Sequence, residues 1–424
     1  MKKIVVFGAG KSATCLIDYL VKTCEENSWQ LTVADGNLAQ AASKIGDSTS
    51  ATAVQVNVEN ETERSALIKD ADIVISLLPP ALHFLIAKDC VEYGKNLLTA
   101  SYTDDLIREL QPEIEKKGLL FLCEMGLDPG IDHMSAMQLI HRIKEEGGVI
   151  NSFKSHCGGL IAPESDDNPW HYKISWNPRN VVMAGSAGAV FKEKNVQREL
   201  PYQLLFQHCG RVQIKGLDEL AFYPNRDSLS YISLYGLEST HTFLRTTLRY
   251  PAFCDAWRWI VKAGLTDDKT LVNPTGLTFK KWSEPLLPFV TKTDEPLFSF
   301  LGLFEEAPVP ATAKTSADIL QYLLETKLVM QPHDKDMIVM MHELEYEIGN
   351  KQSKLESSLI VKGEDNLRTA MAKTVGLPLG IAAKLILQEK INLKGLHIPI
   401  VPEIYEPVMK ELEKEGVVFK ELLV

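Results

Sequence analysis

Short apolar runs punctuate the first third of the chain, and segments with helical spacing lie between them. Ile4-Val5-Val6-Phe7, Leu31-Thr32-Val33-Ala34, Val54 to Val58, Ala71 to Leu78, Asn96 to Ala100 and Leu119 to Leu122 read as six strands, the fourth stopped by Pro79-Pro80. Between the first two, Leu16, Ile17, Leu20 and Val21 recur on one helical face. Strands alternating with helices predict an α/β fold, a doubly wound parallel sheet of the Rossmann type, with ligands at the carboxyl ends of the strands.

The pattern changes after Gly130. A helix from about Asp132 to Glu146 precedes an alternating strand, Val149 to Cys157, that ends at Gly158-Gly159. A polar, proline-bearing segment runs to Arg179. Residues from about 200 to 330 are richer in helical patterns. Asp336 to Ile348 and Lys354 to Val361 alternate polar and apolar positions around Gly349-Asn350-Lys351, which predicts an antiparallel hairpin. Gly376 to Leu387 reads as an apolar helix that returns to the first domain. The expected organisation is a dinucleotide-binding domain at 1–129. A large inserted α+β substrate-binding and dimerisation domain at 130–373 contains the helical region, and 374–424 forms a C-terminal return.

The first strand leads directly into Gly8-Ala9-Gly10-Lys11-Ser12-Ala13 and then into a helix. Gly8 permits a tight turn, Gly10 lets the backbone approach a pyrophosphate, and Ala13 keeps the helix close to the sheet. The free N–H groups and positive dipole end of the helix suit phosphates. Asp35 follows the second strand, 25 residues past Gly10. A carboxylate there meets an adenosine ribose diol and repels a 2′-phosphate, which favours NAD over NADP. An aspartate can also simply begin a solvated Asp-Gly-Asn turn.

At 424 residues the chain is too long for one core, and its 45% hydrophobic and 24% charged composition is that of a globular protein. A net charge of −11 argues against nucleic acid or an anionic membrane surface as partner. The seven cysteines are scattered with no CxxC, which predicts reduced thiols in a cytoplasmic setting and no metal site. Met1 leads straight into the first strand, so no leader peptide is expected. The longest stretch without Asp, Glu, Lys or Arg, Ile73 to Ala87, is 15 residues long and broken by prolines, so no membrane span is expected.

Three clusters could carry chemistry. In Gly126-Leu127-Asp128-Pro129-Gly130-Ile131-Asp132-His133, Asp128 would face a cleft, Asp132 would cap the next helix, and His133 suits packing and chemistry equally. In Cys157-Gly158-Gly159-Leu160, the paired glycines allow a ligand close to the backbone. In Tyr223-Pro224-Asn225-Arg226-Asp227-Ser228 and Leu244-Arg245-Thr246-Thr247-Leu248-Arg249-Tyr250, arginines gather in an acidic protein. Arg245 and Arg249, four apart, would share a face on a helix. Arginine grips carboxylates bidentately, so a small polycarboxylate substrate is indicated.

Taken in order with Val74 to Pro79, Thr99-Ala100-Ser101-Tyr102, Thr374-Val375-Gly376 and Glu403-Ile404-Tyr405-Glu406-Pro407, these motifs resemble the saccharopine dehydrogenase family, and within it the L-glutamate-forming branch. The resemblance spans nearly the whole chain. It implies a homodimeric NAD(P)-dependent oxidoreductase of lysine metabolism that acts on the CH–NH bond of a secondary amine. Saccharopine would give L-glutamate and 2-aminoadipate 6-semialdehyde. It also implies Asp128, Tyr102 and Cys157 at the reacting centre, and Ser101, Arg226 and Thr246 on the substrate beside Arg245 and Arg249. The cofactor residues would be Gly8, Gly10, Lys11, Ser12, Ala13, Asp35, Val58 and Leu78. Some family members carry an arginine near the second-strand turn and use NADP. Ala34-Asp35-Gly36-Asn37 has none, so NAD is the preferred cofactor here and NADP the alternative. The role of His83 stays open. A related oxidoreductase such as carboxynorspermidine synthase, or a non-catalytic nucleotide-binding sensor, are the competing readings.

Overall fold

The computed structural model describes every residue except 208. The chain forms two compact units, one of residues 1–145 with 367–418 and one of residues 146–366 with 419–424.

The first unit is built on seven parallel strands. They are β1 (Lys3–Phe7), β2 (Gln30–Asp35), β3 (Ala51–Gln55), β4 (Ile73–Ser76), β5 (Asn96–Thr99), β6 (Leu120–Leu122) and a late strand, Gly395–His397. Their spatial order is Gly395–His397, β6, β5, β4, β1, β2, β3, which reverses direction between β4 and β1. Ile4 to Phe7 and Ile73 to Ser76 are buried throughout, as required of strands covered on both faces. The helices α1 (Thr14–Asn27), α2 (Leu38–Ile45), α3 (Glu61–Asp70) and α4 (Pro80–Tyr93) are the crossovers. The third strand lies three residues earlier than the apolar run proposes. Val56 to Val58 leave the sheet because Asn57 and Asn60 turn the chain, and Asn60 caps α3.

Helix Ile131–Glu145 belongs to this unit, so the boundary falls after residue 145 rather than after 129. It packs against helix Pro402–Lys414, and His141 Nδ1 lies 2.8 Å from the Tyr405 hydroxyl. Helix Ala370–Leu387 starts six residues before the apolar run expected from Gly376, because the Thr369 side chain caps it through Ala372 N–H. The helix is long and apolar enough to suit a membrane, yet 78% of it is buried within the chain. Gly376 and Gly380 let it press on α1. A Cβ at Gly376 would lie 2.7 Å from Leu16 N, and one at Gly380 would lie 2.7 Å from Tyr19 Cδ1.

The second unit is a mixed sheet with an attached helical layer. Along the main path its strands run Gly210–Val212, Leu220–Pro224, Thr242–Arg249, β7 (Val149–Ile161), Asp336–Ile348, Lys351–Lys362 and Lys420–Leu423. The hairpin expected near 349 is present, with Ile348 opposite Lys351 and Gly349 at φ +61°. Two expectations are corrected. Arg245 and Arg249 lie on a strand, where four residues apart still means one face because side chains alternate with period two. β7 continues through Gly158-Gly159 to Ile161, and Gly158 serves packing rather than a ligand. A Cβ there would lie 2.5 Å from Leu248 O on the adjacent strand. The proline-bearing segment is anchored in the core as well. Trp170 is fully buried and donates Nε1–H to Leu297 O at 2.7 Å, and Lys173 pairs with Asp334 at 2.7 Å.

Gly158→Ala is expected to destabilise the chain by roughly 1–3 kcal/mol, the usual cost of an overpacked site. Denaturant unfolding checks this, and an unchanged midpoint would remove the packing role.

Candidate active site

The first unit brings the cofactor candidates together. β1 ends at Phe7, and Gly8 turns the chain at φ +102°, so close to β4 that a Cβ would lie 2.9 Å from Leu77 O. Half-buried Leu78 follows at the same edge. Gly10 is exposed with nothing within 4 Å of a would-be Cβ, so its backbone is open to a ligand. Lys11, Ser12 and Ala13 form a single 3₁₀ turn leading into α1, and no side chain caps the start of either. Asp35 touches this turn directly. Its Oδ2 accepts Ala9 N–H at 2.7 Å and its Oδ1 accepts Asn37 N–H at 2.8 Å, while Gln40 donates to Ala9 O at 2.7 Å. Val58 sits in the loop after β3. Its carbonyl accepts Arg64 Nη1–H at 2.7 Å, and Arg64 makes a buried fork to Asp89 at 2.7 and 3.2 Å. An open glycine backbone, an uncapped helix start and an oriented carboxylate fit the pyrophosphate and ribose of a dinucleotide.

At the carboxyl ends of β5 and β6, Tyr102 donates its hydroxyl to Asp128 Oδ1 at 3.2 Å, and both side chains are half-buried. The loop bearing Asp128 is clamped at its base. Gly126 N–H bonds Pro129 O at 3.0 Å, and Gly130, at φ +144°, touches the Gly126 backbone so closely that no side chain fits. Asp132 is the second residue of helix Ile131–Glu145 rather than its N-cap, and its Oδ1 accepts the N–H of Gly130, just before the helix, at 2.6 Å. His133 pairs with Glu124, a residue in the stretch after the sixth strand to which the sequence assigns no role. Glu124 is 1% exposed and left-handed at φ +57°. Its Oε1 accepts both the N–H and the hydroxyl of Thr103 at 3.1 Å, and its Oε2 lies 3.0 Å from His133 Nε2. The carboxylate thus ties β5, β6 and helix Ile131–Glu145 together. Only its position directly after a strand could have flagged it.

In the second unit, strand register decides which side chains share a face. Tyr223, Thr247, Cys157 and Met340 stand opposite one another across four neighbouring strands, so they form one row. Arg245 and Arg249 flank Thr247 on the same face, whereas Thr246 points to the other. There the Thr246 hydroxyl bonds His156 Nδ1 at 2.7 Å, and His156 Nε2 lies 3.1 Å from Glu343. The His156 hydrogen bond holds the Glu343 carboxyl down at about 2, and burial lowers the His156 pKa. Thr247, not Thr246, is therefore the hydroxyl beside Cys157. Neither composition nor spacing distinguishes the two, since only the pairing register does.

Arg245 is buried with its guanidinium 4.4 Å from the Tyr231 ring centroid. Arg226 is exposed, at φ +50°. Arg249 is 3% exposed and donates Nη1–H to Leu248 O at 2.7 Å, its Nε has no partner, and among the described residues no carboxylate pairs with it. Burial pushes the neighbouring Tyr223 phenol up to about 12, so it stays neutral.

The comparisons agree with this arrangement. Residues 4–122 match the saccharopine dehydrogenase NADP binding domain, and residues 126–417 match the saccharopine dehydrogenase C-terminal domain. Alpha-aminoadipic semialdehyde synthase, mitochondrial, of Bos taurus is 36% identical over 99% of this chain and 47% of its own length. The chain thus spans about half the length of such relatives. Saccharopine dehydrogenase [NADP(+), L-glutamate-forming] of Saccharomyces cerevisiae is 32% identical over 99% of both chains. The apo structure of the L-Glu-forming saccharopine dehydrogenase from that yeast superposes with a TM-score of 0.91 at 31% identity, covering 100% of both chains. A Rossmann unit with an open glycine turn, a mixed-sheet unit bearing buried arginines, and full-length similarity on both units agree: the chain belongs to the saccharopine dehydrogenase family.

Proposed function

We propose that this chain catalyses the reversible oxidation of saccharopine at its secondary amine. Saccharopine, water and NAD(P)+ give L-glutamate, 2-aminoadipate 6-semialdehyde, NAD(P)H and a proton, a step of lysine metabolism. Arg249 is the observation that carries the reading. A guanidinium buried without a counter-ion is costly, and it finds its natural partner in a carboxylate held through parallel N–H donors. Saccharopine offers three carboxylates. Arg245, on the same strand face, and Arg226, just beyond the adjoining strand, supply further cations in a chain of net charge −11. A polyamine substrate would call for acids at these positions.

A bound nicotinamide supplies the hydride acceptor. The chain's own residues manage protons and position. Asp128, with the Tyr102 hydroxyl bonded to it, provides a carboxylate that takes the proton of the secondary amine or orients the attacking water. Positioned acid–base groups of this kind are worth roughly 10²–10⁴-fold. Cys157 and Thr247, side by side and flanked by the arginines, line the substrate with one thiol and one hydroxyl.

Asp35 supports NAD over NADP. Its carboxylate is held at the glycine turn by two N–H donors and would face a 2′-phosphate with like charge. On the other side, the matched domain model and the yeast relative carry NADP in their names. One nearby cation is Lys44, whose ammonium bonds the Thr14 hydroxyl and feels the Asp35 charge.

Mixing the purified chain with L-saccharopine and either dinucleotide, and following the absorbance of the reduced nicotinamide, tests both points. Turnover with at least one dinucleotide is expected. No rise with either dinucleotide sinks the proposed reaction. If Asp35 excludes the 2′-phosphate, Asp35→Ser raises the NADP-to-NAD ratio of kcat/KM at least about tenfold, since like charges in contact cost well over the 1.4 kcal/mol this represents. An unchanged ratio removes Asp35 from cofactor choice. Arg249→Met is expected to raise the saccharopine KM by roughly 10–100-fold, the equivalent of a lost charge-assisted hydrogen bond or two. Dinucleotide affinity, read by fluorescence titration, should stay as it was. A normal saccharopine KM in this variant refutes the carboxylate clamp.

A further inference from the structure

His83 lies in the first turns of α4, 2% exposed, and bridges two serines at strand ends. Its Nδ1 is 2.8 Å from the Ser76 hydroxyl at the end of β4, and its Nε2 is 2.8 Å from the Ser101 hydroxyl just past β5. Ser76 and Thr99 are paired in register, so the bridge spans two adjacent strands at the carboxyl edge of the sheet. The order Ser76, His83, Ser101 forms one chain of hydrogen bonds, and its direction follows from burial.

Ser76 is fully buried, and the imidazole is the hydrogen-bond partner its side chain has. A buried hydroxyl whose hydrogen finds no acceptor is penalised more than one with an idle lone pair. Ser76 therefore donates and Nδ1 accepts. A neutral imidazole then carries its hydrogen on Nε2, which donates to Ser101. The imidazole is neutral because burial pushes its pKa down to about 4, an effect that the charge of Asp104 only partly offsets. Its place near the start of α4 acts in the same direction. The Ser101 oxygen thus has a donor supplied from inside the protein. Ser101 is half-buried, and its own hydrogen remains for an acceptor outside.

We propose that His83 is a positioning residue that, oriented by Ser76, presents the Ser101 hydroxyl as a hydrogen-bond donor to a carboxylate of the substrate. The proposal rests on the saccharopine reading for the identity of that substrate. It assigns His83 no proton transfer and no contact with ligand.

The test uses the full chain. Asparagine and glutamine at position 83 both remove the ring, but their amides occupy different places. The Gln amide nitrogen reaches the position of Nε2, and the Asn amide stops near that of Nδ1. With L-saccharopine, His83→Asn is expected to raise the saccharopine KM about tenfold, the usual size of one lost hydrogen bond to an ion. Its kcat should change less than about twofold and its dinucleotide KM should not change. His83→Gln should recover most of the loss. In a Ser101→Ala background His83→Asn should add nothing, because His83 acts only through Ser101. Long-range ¹H–¹⁵N spectra of histidine-labelled protein should show Nε2–H at His83, identified by its loss in His83→Gln. The proposal is overturned by an Nδ1–H tautomer, by effects of His83→Asn and Ser101→Ala that add, by failure of Gln to rescue, or by a rise in dinucleotide KM. If the wild-type chain oxidises no saccharopine, the functional reading falls and takes the substrate assignment with it. An Nδ1–H spectrum from an active wild-type enzyme overturns this inference alone.

Discussion

Buried polar groups must find partners, and much of the first unit's loop structure follows from that constraint. Glu124 has 1% of its surface exposed, and its two oxygens reach Thr103 and His133. Each bond crosses between elements, so satisfying one carboxylate fixes the ends of β5 and β6 and the start of helix Ile131–Glu145. Arg64 does the same for the loop holding Val58, with Asp89 taking its fork and the Val58 carbonyl its remaining edge. His83 joins the ends of β4 and β5 by the same logic. A charge or amide in a low-dielectric interior tolerates no loose arrangement, because each missing bond costs the full desolvation of the group. Rigid strand ends are the consequence, and the half-buried Asp128, Tyr102 and Ser101 stand on them.

Against that background, Arg249 stands out. Two other buried cations, Arg64 and Lys173, have carboxylates at 2.7 Å. Arg249 has one backbone carbonyl and an aromatic surround of Tyr172 and Phe253. Its neighbour Tyr223, with a phenol pushed up to about 12 by burial, stays neutral and does not compensate a cation. A protein pairs its structural charges and leaves binding charges for the ligand, since a charge satisfied internally has little left to offer. A buried guanidinium without a carboxylate is thus a more informative signal than the presence of arginine.

Glycine illustrates how one residue type serves opposite ends. Gly10 has open space where a side chain would stand, which leaves the backbone accessible. Gly8, Gly158 and Gly376 have backbone atoms there, at 2.9, 2.5 and 2.7 Å. The first kind admits a ligand and the second kind admits another segment of the chain. Both appear in sequence as a glycine after or within an apolar run, so the pattern alone makes Gly158 look like the first kind.

The sequence by itself determined the Rossmann unit, the hairpin around Gly349, the dinucleotide turn with Asp35, and the family. These rest on local pattern, namely strand runs, helical spacing, turn chemistry and motifs in fixed order, all properties of neighbours along the chain. Asp35 is an instructive case, because a spacing of 25 residues points to a ribose diol, while its hydrogen bonds to Ala9 and Asn37 N–H are visible only in the fold. Tertiary structure decided the rest. Whether Thr246 or Thr247 faces Cys157 depends on register between strands about ninety residues apart. Arg245 and Arg249 share a face because they lie in a strand, although their spacing fits a helix as well. Glu124 and His83 look ordinary in sequence and acquire their roles only through partners brought from other strands and helices. Pairing register and burial are set by the whole fold, and no window of sequence contains them.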